Sequence, residues 1–208
     1  MLNENEYGKI IILNGTPRSG KSSIALSIQN TFEGVWMNLG VDQFMQMTPD
    51  RFQPGIGLRP GGERPDLEPL VNTMYQAMYE AIAAFSRSGL NVVMDVGHHE
   101  GYSVPLGILH KCTKILEGFP VWFVGVRCPI DVVMERRIKT WNGDYNNDST
   151  VPKPVALWQK FVHVPGIYDI EVDTSLHSSK ECAQLIRRRL EDAQSAKAFE
   201  YIRKMMSQ

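Results

Sequence analysis

The chain has 208 residues, of which 43% are apolar, and its 22 basic and 23 acidic residues give a formal net charge of −1. This length suits a single domain over residues 1–208, and the near-neutral charge excludes a general attraction to nucleic acid or anionic membranes. The three cysteines are far apart and lack CxxC spacing, which disfavours a disulfide framework or zinc site and indicates a reducing, cytoplasmic environment.

The beginning of the chain, MLNENEYGK, is polar and lacks the basic and apolar regions of a secretory signal. No segment approaches the ~18 to 20 apolar residues that a membrane-spanning helix requires. We therefore expect no membrane association.

Short apolar runs alternate with stretches of helical spacing along the chain. The predicted strands are 10–13, 35–39, 92–94, 121–126 and 170–172, and the predicted helices are 21–30, 67–87, 105–116, 129–140 and 179–205. Pro129 fits the opening turn of a helix, and Ser178 and Glu181 have the spacing of a capping box. The alternation predicts an α/β fold, a three-layer sandwich in which helices cover both faces of a five-stranded parallel sheet.

Two irregular segments interrupt this alternation. Residues 48–66 contain four prolines and four glycines, which excludes an ordinary helix or strand and predicts a loop that caps the substrate. Residues 141–153 are polar and rich in turn formers, and they follow a basic helix end, so 136–153 is predicted to be a lid region. The alternative is that both segments are solvent-exposed loops without a role.

The stretch GTPRSGKSS satisfies the pattern G-x-x-x-x-G-K-[ST] and lies between a predicted strand and a predicted helix. Its glycines allow backbone N–H groups to surround phosphate oxygens, and the start of the helix contributes the positive end of its dipole. The expected ligand is a nucleoside triphosphate with Mg²⁺, with Lys21 on the β- and γ-phosphates and the Ser22 hydroxyl on the metal. Arg18 either reaches a phosphate or projects into water. The predicted nucleotide-binding residues here are Gly15, Thr16, Pro17, Arg18, Ser19, Gly20, Lys21, Ser22 and Ser23.

The remaining sequence narrows the class of nucleotide-binding protein. The guanine-reading pattern N-K-x-D does not occur, which disfavours a GTPase, and 208 residues hardly accommodate a motor or helicase. Small kinases remain, and these need a carboxylate beside the acceptor hydroxyl and cations near the γ-phosphate.

Two aspartates follow predicted strands, where the carboxyl ends of parallel strands border the ligand crevice. We predict that Asp42 is the catalytic base that accepts or orients the proton of the attacking hydroxyl. The alternative is that Asp42 caps the helix that follows it. Asp95 is predicted to join Ser22 in the magnesium site, and the alternative for Asp95 is a turn or cap residue.

Arg136 and Arg137 lie near the end of the helix that begins at Pro129. Their predicted role is catalytic, because guanidinium groups stabilise the charge that spreads over the phosphoryl oxygens in the transition state. The alternative is a solvated basic helix end. His98 and His99 lack further ligands at metal spacing, so we expect these imidazoles to face solvent or to contact substrate.

Several stretches together resemble one family. The segments IIILNGTPRSGKSS, LGVDQF, VWFVGVRC, FVHVPGIYDIEVDTS and KECA are similar to the chloramphenicol phosphotransferase-like proteins, over about residues 9–183. The resemblance implies a P-loop kinase fold, ATP and Mg²⁺ as cofactors, and phosphorylation of a small-molecule hydroxyl. It places Asp42 at the catalytic base, Arg136 at a lid arginine and His163 at a family histidine without an assigned role. It also implies that Asp173 and Thr174 border the adenine.

The chain departs from the family pattern in two places. Only Arg137 and Lys139 follow the first lid arginine, where the family has more arginines, and 48–66 bears little likeness to the antibiotic-binding segment. We therefore expect an ATP-dependent kinase whose acceptor is a chloramphenicol-like antibiotic or a related metabolite. The alternatives are a nucleotide or polynucleotide 5′-hydroxyl kinase, which the weak net charge disfavours, and a non-catalytic ATP-binding regulatory module.

Overall fold

A parallel sheet forms the centre of the molecule in a computed structural model, which describes residues 7–140, 151–192 and 196–205. The strands are β1 Ile10–Asn14, β2 Trp36–Asn38, β3 Asn91–Val96, β4 Val121–Arg127 and β5 Ile170–Asp173. Their order is β2-β3-β1-β4-β5, with all neighbours parallel. The predicted α/β class and five-stranded parallel sheet are confirmed, and β1 is the central strand.

Helices cover both faces of the sheet. In the described part of the chain they are α1 Lys21–Thr31, α2 Val41–Gln46, α3 Glu68–Arg87, α4 Ile108–Ile115, α5 Ile130–Thr140, α6 Lys153–Phe161, α7 Ser179–Glu191 and α8 Ala198–Met205. Ile10 and Ile12 of β1 pack in the core that α3, α4 and α8 share, whereas Ile11 and Leu13 pack against α1 and α7. This alternation follows from the two-residue period of a strand and produces the predicted three layers.

The C-terminal part differs from the prediction of one helix over 179–205. α7 begins as predicted, since Ser178 and Glu181 form the capping box, but it ends at Glu191, and α8 begins at Ala198. The Asp169 Oδ1 accepts hydrogen bonds from the backbone N–H groups of Lys197 (2.7 Å) and Ala198 (3.0 Å). This carboxylate satisfies the free donors at the start of α8, so a second helix is stabilised there.

Helix α6 was not predicted from the sequence. It begins directly after Pro152, and its Val155 packs against Cys128 and Val133. Residues 141–150 of the predicted lid lie outside the described residues. The 48–66 segment contains two short 3₁₀ helices, Asp50–Phe52 and Gly55–Gly57.

The predicted helix 105–116 begins later than expected, at Ile108. The carboxylate of Glu100 accepts hydrogen bonds from the backbone N–H groups of Leu106, Gly107 and Ile108, which fixes this boundary. Among the described helices, none has both the length and the apolar character needed to cross a bilayer.

Candidate active site

A cleft of about 780 Å³ opens at the carboxyl ends of the strands. The phosphate loop, the start of α2, the end of β3 and the loop after β5 all contribute to its walls. Its lining includes Gly15, Pro17, Arg18, Gly20, Lys21, Ser22, Ser23, Val41, Asp42, Ile56, Gly57, Tyr75, Asp95, Val96, Gly97, Arg136, Arg137, Thr140, Trp158, Thr174, His177, Ser178 and Ser179.

The phosphate loop lies between β1 and α1. Arg18 and Gly20 have φ of 68° and 93°, and Gly15 leaves no room for a side chain, because a Cβ would lie 2.5 Å from the Val126 carbonyl oxygen. Thr16 and Ser19 are buried, and their hydroxyls have no hydrogen-bond partner in the described part of the chain. The side chains of Thr16 and Ser19 therefore lie beneath the loop. The other seven predicted nucleotide-binding residues of the loop line the cleft.

Lys21 lies across the mouth of the loop. Its Nζ donates hydrogen bonds to the carbonyl oxygens of Gly15 (2.9 Å) and Thr16 (2.8 Å). Burial of the ammonium group lowers the pKa of Lys21 to about 8, although the negative charges of Asp95 and Asp42 act in the opposite direction. Phosphate oxygens are stronger acceptors than these carbonyls, so the lysine is placed to exchange its partners for an anionic ligand.

Ser22 and Asp95 form a hydrogen-bonded pair, in which the Ser22 hydroxyl donates to Asp95 Oδ2 at 2.7 Å. Asp95 is 8% exposed, and its other oxygen lies against the Cα of Gly40, where a Cβ would come within 1.7 Å of it. A hydroxyl and a carboxylate are hard oxygen donors of the kind that Mg²⁺ binds through one or two protein ligands and several waters. The residues present thus fit a magnesium ion.

Asp42 lies in the first turn of α2 and is exposed to the cleft. The N-cap of α2 is Gly40, and the Gln43 Oε1 accepts a hydrogen bond from the Gly40 N–H at 3.1 Å. The alternative in which Asp42 caps this helix is therefore wrong. Asp42 and Lys21 both line the cleft, and the negative charge of Asp42 favours the charged form of Lys21.

Arg136 lies beside the phosphate loop, between Arg18 and Thr174. Its guanidinium donates to the Thr174 hydroxyl (2.9 Å), to the Thr174 carbonyl (2.7 Å) and to the Arg18 carbonyl (3.3 Å). Arg137 also lines the cleft. Asp173 does not line it, because its Oδ1 turns to the backbone N–H and hydroxyl of Ser175. Of Asp173 and Thr174, the two residues predicted to border the adenine, Thr174 lines the cleft.

The histidines after β3 are buried, so the expectation that they face solvent is wrong. His98 Nε2 lies 2.7 Å from the Tyr79 hydroxyl, and burial lowers the pKa of His98 to about 3. His99 Nδ1 accepts from the Gly101 N–H, which leaves Nε2–H to donate to the Leu58 carbonyl at 3.0 Å. Burial lowers the pKa of His99 to about 4. His99 thus fixes the 48–66 segment to the end of β3, and neither ring lines the cleft.

Several residues of this region were not predicted from the sequence, and three of them shape it by close packing. Trp158 of α6 lines the cleft and lies on Gly97, where a Cβ would be 2.7 Å from the indole. Gly40 makes room for Asp95, as described above. Only Gly97 carries a sequence signal, since it directly follows the strand that ends with Asp95 and Val96. Contacts between distant segments, such as that between Gly40 and Asp95, leave no local pattern.

Comparisons with known proteins find several similar chains. A protein of Mycobacterium tuberculosis strain H37Rv, whose name proposes an O-phosphotransferase, is 27% identical over 217 residues, which cover 95% of this chain and 88% of that protein. The APS kinase CysC of Mycobacterium tuberculosis, solved in complex with AMPPNP and APS, has a TM-score of 0.57 at 16% identity, covering 90% of this chain and 100% of that one. The shikimate kinase of Acinetobacter baumannii, solved in complex with shikimate, has a TM-score of 0.55 at 12% identity, covering 88% and 93%.

The two solved structures show that the fold is that of P-loop kinases. The family model of the chloramphenicol phosphotransferase-like proteins matches residues 8–191, which is most of the chain and includes the phosphate loop, Asp42, Asp95 and Arg136. The chain therefore belongs to the chloramphenicol phosphotransferase-like family.

Proposed function

We propose that the protein transfers the γ-phosphoryl group of ATP to a hydroxyl of a small molecule. The observation that carries this proposal is the convergence of Lys21, the Ser22–Asp95 pair and the Asp42 carboxylate on one cleft. A nucleotide holder without activity has no need for a carboxylate exposed beside the phosphate-binding lysine.

The chain's own residues would divide the reaction as follows. Lys21 would leave its loop carbonyls and bind the phosphates, and Ser22 and Asp95 would hold Mg²⁺. When bound, magnesium neutralises charge on the β- and γ-phosphate oxygens. Asp42 accepts the proton of the acceptor hydroxyl, whose oxygen forms a bond to the γ-phosphorus as the bond from that phosphorus to the ADP oxygen breaks.

The two ends of the cleft would bind different ligands. We place the adenine at the side of the phosphate loop where Thr174 and the guanidinium of Arg136 lie. Asp173 stabilises the turn after β5 by accepting a hydrogen bond from the Ser175 N–H. Arg136 and Arg137, which both line the cleft, are our candidates for the cations on the transferred phosphoryl group. The acceptor would lie beside Asp42, against Ile56 and Gly57 of the 48–66 segment, which then acts as a substrate cap.

The acceptor that we propose is an amphenicol or another alcohol of natural-product type. The apolar walls formed by Val41, Ile56, Tyr75 and Trp158 support an acceptor with an apolar body. A chloramphenicol-like acceptor is also the one that the family's description names.

A phosphorylation screen tests this function. The protein is mixed with ATP, Mg²⁺ and a panel of small-molecule alcohols that includes chloramphenicol, and mass spectrometry records the gain of a phosphoryl group. We expect at least one alcohol to be phosphorylated, with ADP formed in equal amount. Tight ATP binding without transfer to any acceptor would favour a regulatory module instead, and transfer only to oligonucleotide 5′ ends would favour a polynucleotide kinase.

The pH dependence of nucleotide binding follows from Lys21. Its pKa of about 8 in the free protein should rise when phosphates bind beside it, because nearby negative charge favours the ammonium form. Below pH 8 both states hold the proton and affinity is full. Above pH 8 binding must take up a proton, so affinity falls by up to about tenfold per pH unit until the pH passes the pKa of the complex.

Calorimetric titration with AMPPNP and Mg²⁺ from pH 7 to above pH 9 measures this effect, with two buffers to count the protons taken up. Lys21→Met should bind weakly and lose the pH dependence, whereas Lys114→Met, at an exposed position on α4, should retain it. An affinity that stays flat across this range in the unmodified protein would contradict the assignment.

A further inference from the structure

Asn14, the last residue of the central strand, joins three segments that are far apart in the sequence. Its Oδ1 accepts a hydrogen bond from the His98 N–H at 2.8 Å. Its Nδ2 donates to the Val162 carbonyl at 2.8 Å and to the Tyr168 hydroxyl at 2.9 Å. The three partners determine the orientation of the amide, because the N–H of His98 needs an acceptor and the carbonyl of Val162 needs a donor. Asn14 is 1% exposed and directly precedes the phosphate loop.

The segment 158–168, which we call the strap, crosses the carboxyl ends of the strands on either side of Asn14. At one end, the Trp158 indole lies on Gly97 after β3, where a Cβ would be 2.7 Å away. At the other end, the Tyr168 ring lies on Gly125 of β4, where a Cβ would be 2.8 Å away. Both glycines therefore serve as flat contact sites for aromatic rings, and Asn14 lies between them in the strand register.

The strap has its own internal support. The Tyr168 hydroxyl accepts from Asn14 and can donate to His163 Nδ1, which lies 2.7 Å away. Burial lowers the pKa of His163 to about 4, so the ring is neutral near pH 7 and Nδ1 is available as the acceptor. This arrangement gives the family histidine at 163 a structural account, because His163 orients the hydroxyl that Asn14 binds.

We propose that Asn14 is a positioning residue that fastens the strap and thereby sets the Trp158 indole as a wall at the acceptor end of the cleft. Trp158 lines the cleft, and the N–H of Val162 donates to the Trp158 carbonyl at 3.0 Å, so the anchor at Val162 acts on the same helical turn. The assignment of that end to the acceptor rests on the proposed function. The mechanical link from Asn14 to Trp158 does not.

Asn14→Asp tests the link selectively. Aspartate has nearly the same shape and keeps an oxygen for the His98 N–H, but its carboxylate cannot donate to Val162 or Tyr168. We expect the Trp158 emission, isolated by subtracting the spectrum of the same protein with Trp158→Phe, to move to longer wavelength and to become more accessible to iodide. Lowering the pH should partly reverse this shift, because a protonated carboxyl regains one donor.

We expect Asn14→Asp to weaken binding of the acceptor but not binding of the nucleotide. With an acceptor identified by the screen, Asn14→Asp should raise the KM for that acceptor by about tenfold, since misplacing a binding group by ~1 Å can cost up to 10²-fold. The affinity for AMPPNP should remain unchanged. Asn30→Asp, at an exposed position on α1, is the matched control and should change neither quantity.

A second variant tests the same link in case Asn14→Asp does not fold. Tyr168→Phe removes only the hydroxyl and leaves the ring on Gly125, and it should shift the Trp158 emission in the same direction, whereas Tyr201→Phe, exposed on α8, should not. Unchanged Trp158 emission in Tyr168→Phe and in folded Asn14→Asp would overturn the proposal. Equal losses of acceptor and nucleotide affinity would also overturn it, because Asn14 would then act on the phosphate loop. The emission needs no turnover, so it decides the link even if the screen finds no acceptor.

Discussion

Asp42→Asn is expected to lower phosphotransfer turnover by roughly 10²- to 10⁴-fold, the range typical of removing a general base. The change keeps the size of the side chain and removes its ability to accept the proton of the acceptor hydroxyl. ATP affinity should remain unchanged or rise slightly, because the lost interaction forms mainly in the transition state and the carboxylate does not attract phosphates. Initial rates at saturating substrates, together with calorimetric ATP binding, measure the two effects separately.

A matched control exists for the local electrostatics of Asp42. Asp131 is also an exposed aspartate in the first turn of a helix, α5, but it does not line the cleft. Asp131→Asn therefore removes the same charge at a position away from the ligands. We expect its turnover to be unchanged. If Asp42→Asn weakened ATP binding as much as turnover, the carboxylate would be a nucleotide-site residue and the assignment as base would be wrong.

Gly40→Ala is expected to remove magnesium-dependent ATP binding, although Gly40 touches neither ligand in our proposal. Its φ of −110° and ψ of 179° suit alanine, so the effect is steric. The new methyl group would lie 1.7 Å from Asp95 Oδ1, so the carboxylate must turn away from Ser22. Overpacking of this kind also costs about 1 to 3 kcal/mol of stability.

Magnesium titration of AMPPNP binding measures the first effect and urea unfolding the second. Gly118→Ala is the control: its Cβ would meet open space, so we expect only the backbone cost of a φ of 83°, about 1 to 2 kcal/mol, and normal magnesium dependence. In the double variant with Asp95→Ala, the clash is gone, and the stability cost of Gly40→Ala should largely disappear. If that cost persisted, it would not come from Asp95.

The strands were predictable because their burial leaves a continuous apolar signal. β1 and β4 are apolar runs that pack on both faces, and each extends by one residue beyond its prediction at the carboxyl end. β3 runs further, to Val96, and therefore includes Asp95 within the strand. Polar residues at strand ends carry no apolar signal, although they are the residues that the site uses.

The remaining features depend on contacts between distant parts of the chain. α6 has an apolar stripe of only a few residues, and the polar segment before it obscured its start at Lys153. The break between α7 and α8 depends on Asp169, which no local pattern connects with Lys197. The predicted roles of Asp42 and Asp95 followed from their positions after predicted strands, and those of Arg136 and Arg137 from their place near the end of a predicted helix. The contributions of Gly40 and Asn14 follow only from the packed structure.

The placement of α8 has a consequence for expressing shorter versions of this protein. The family match stops at residue 191, yet α8 returns to the opposite face of the sheet from α7 and packs Phe199 against Phe123, with ring centroids 5.2 Å apart. A version cut at the family boundary would leave this apolar surface uncovered beside the edge strand β5, a combination that promotes self-association. We therefore expect α8 to contribute to solubility as well as to packing.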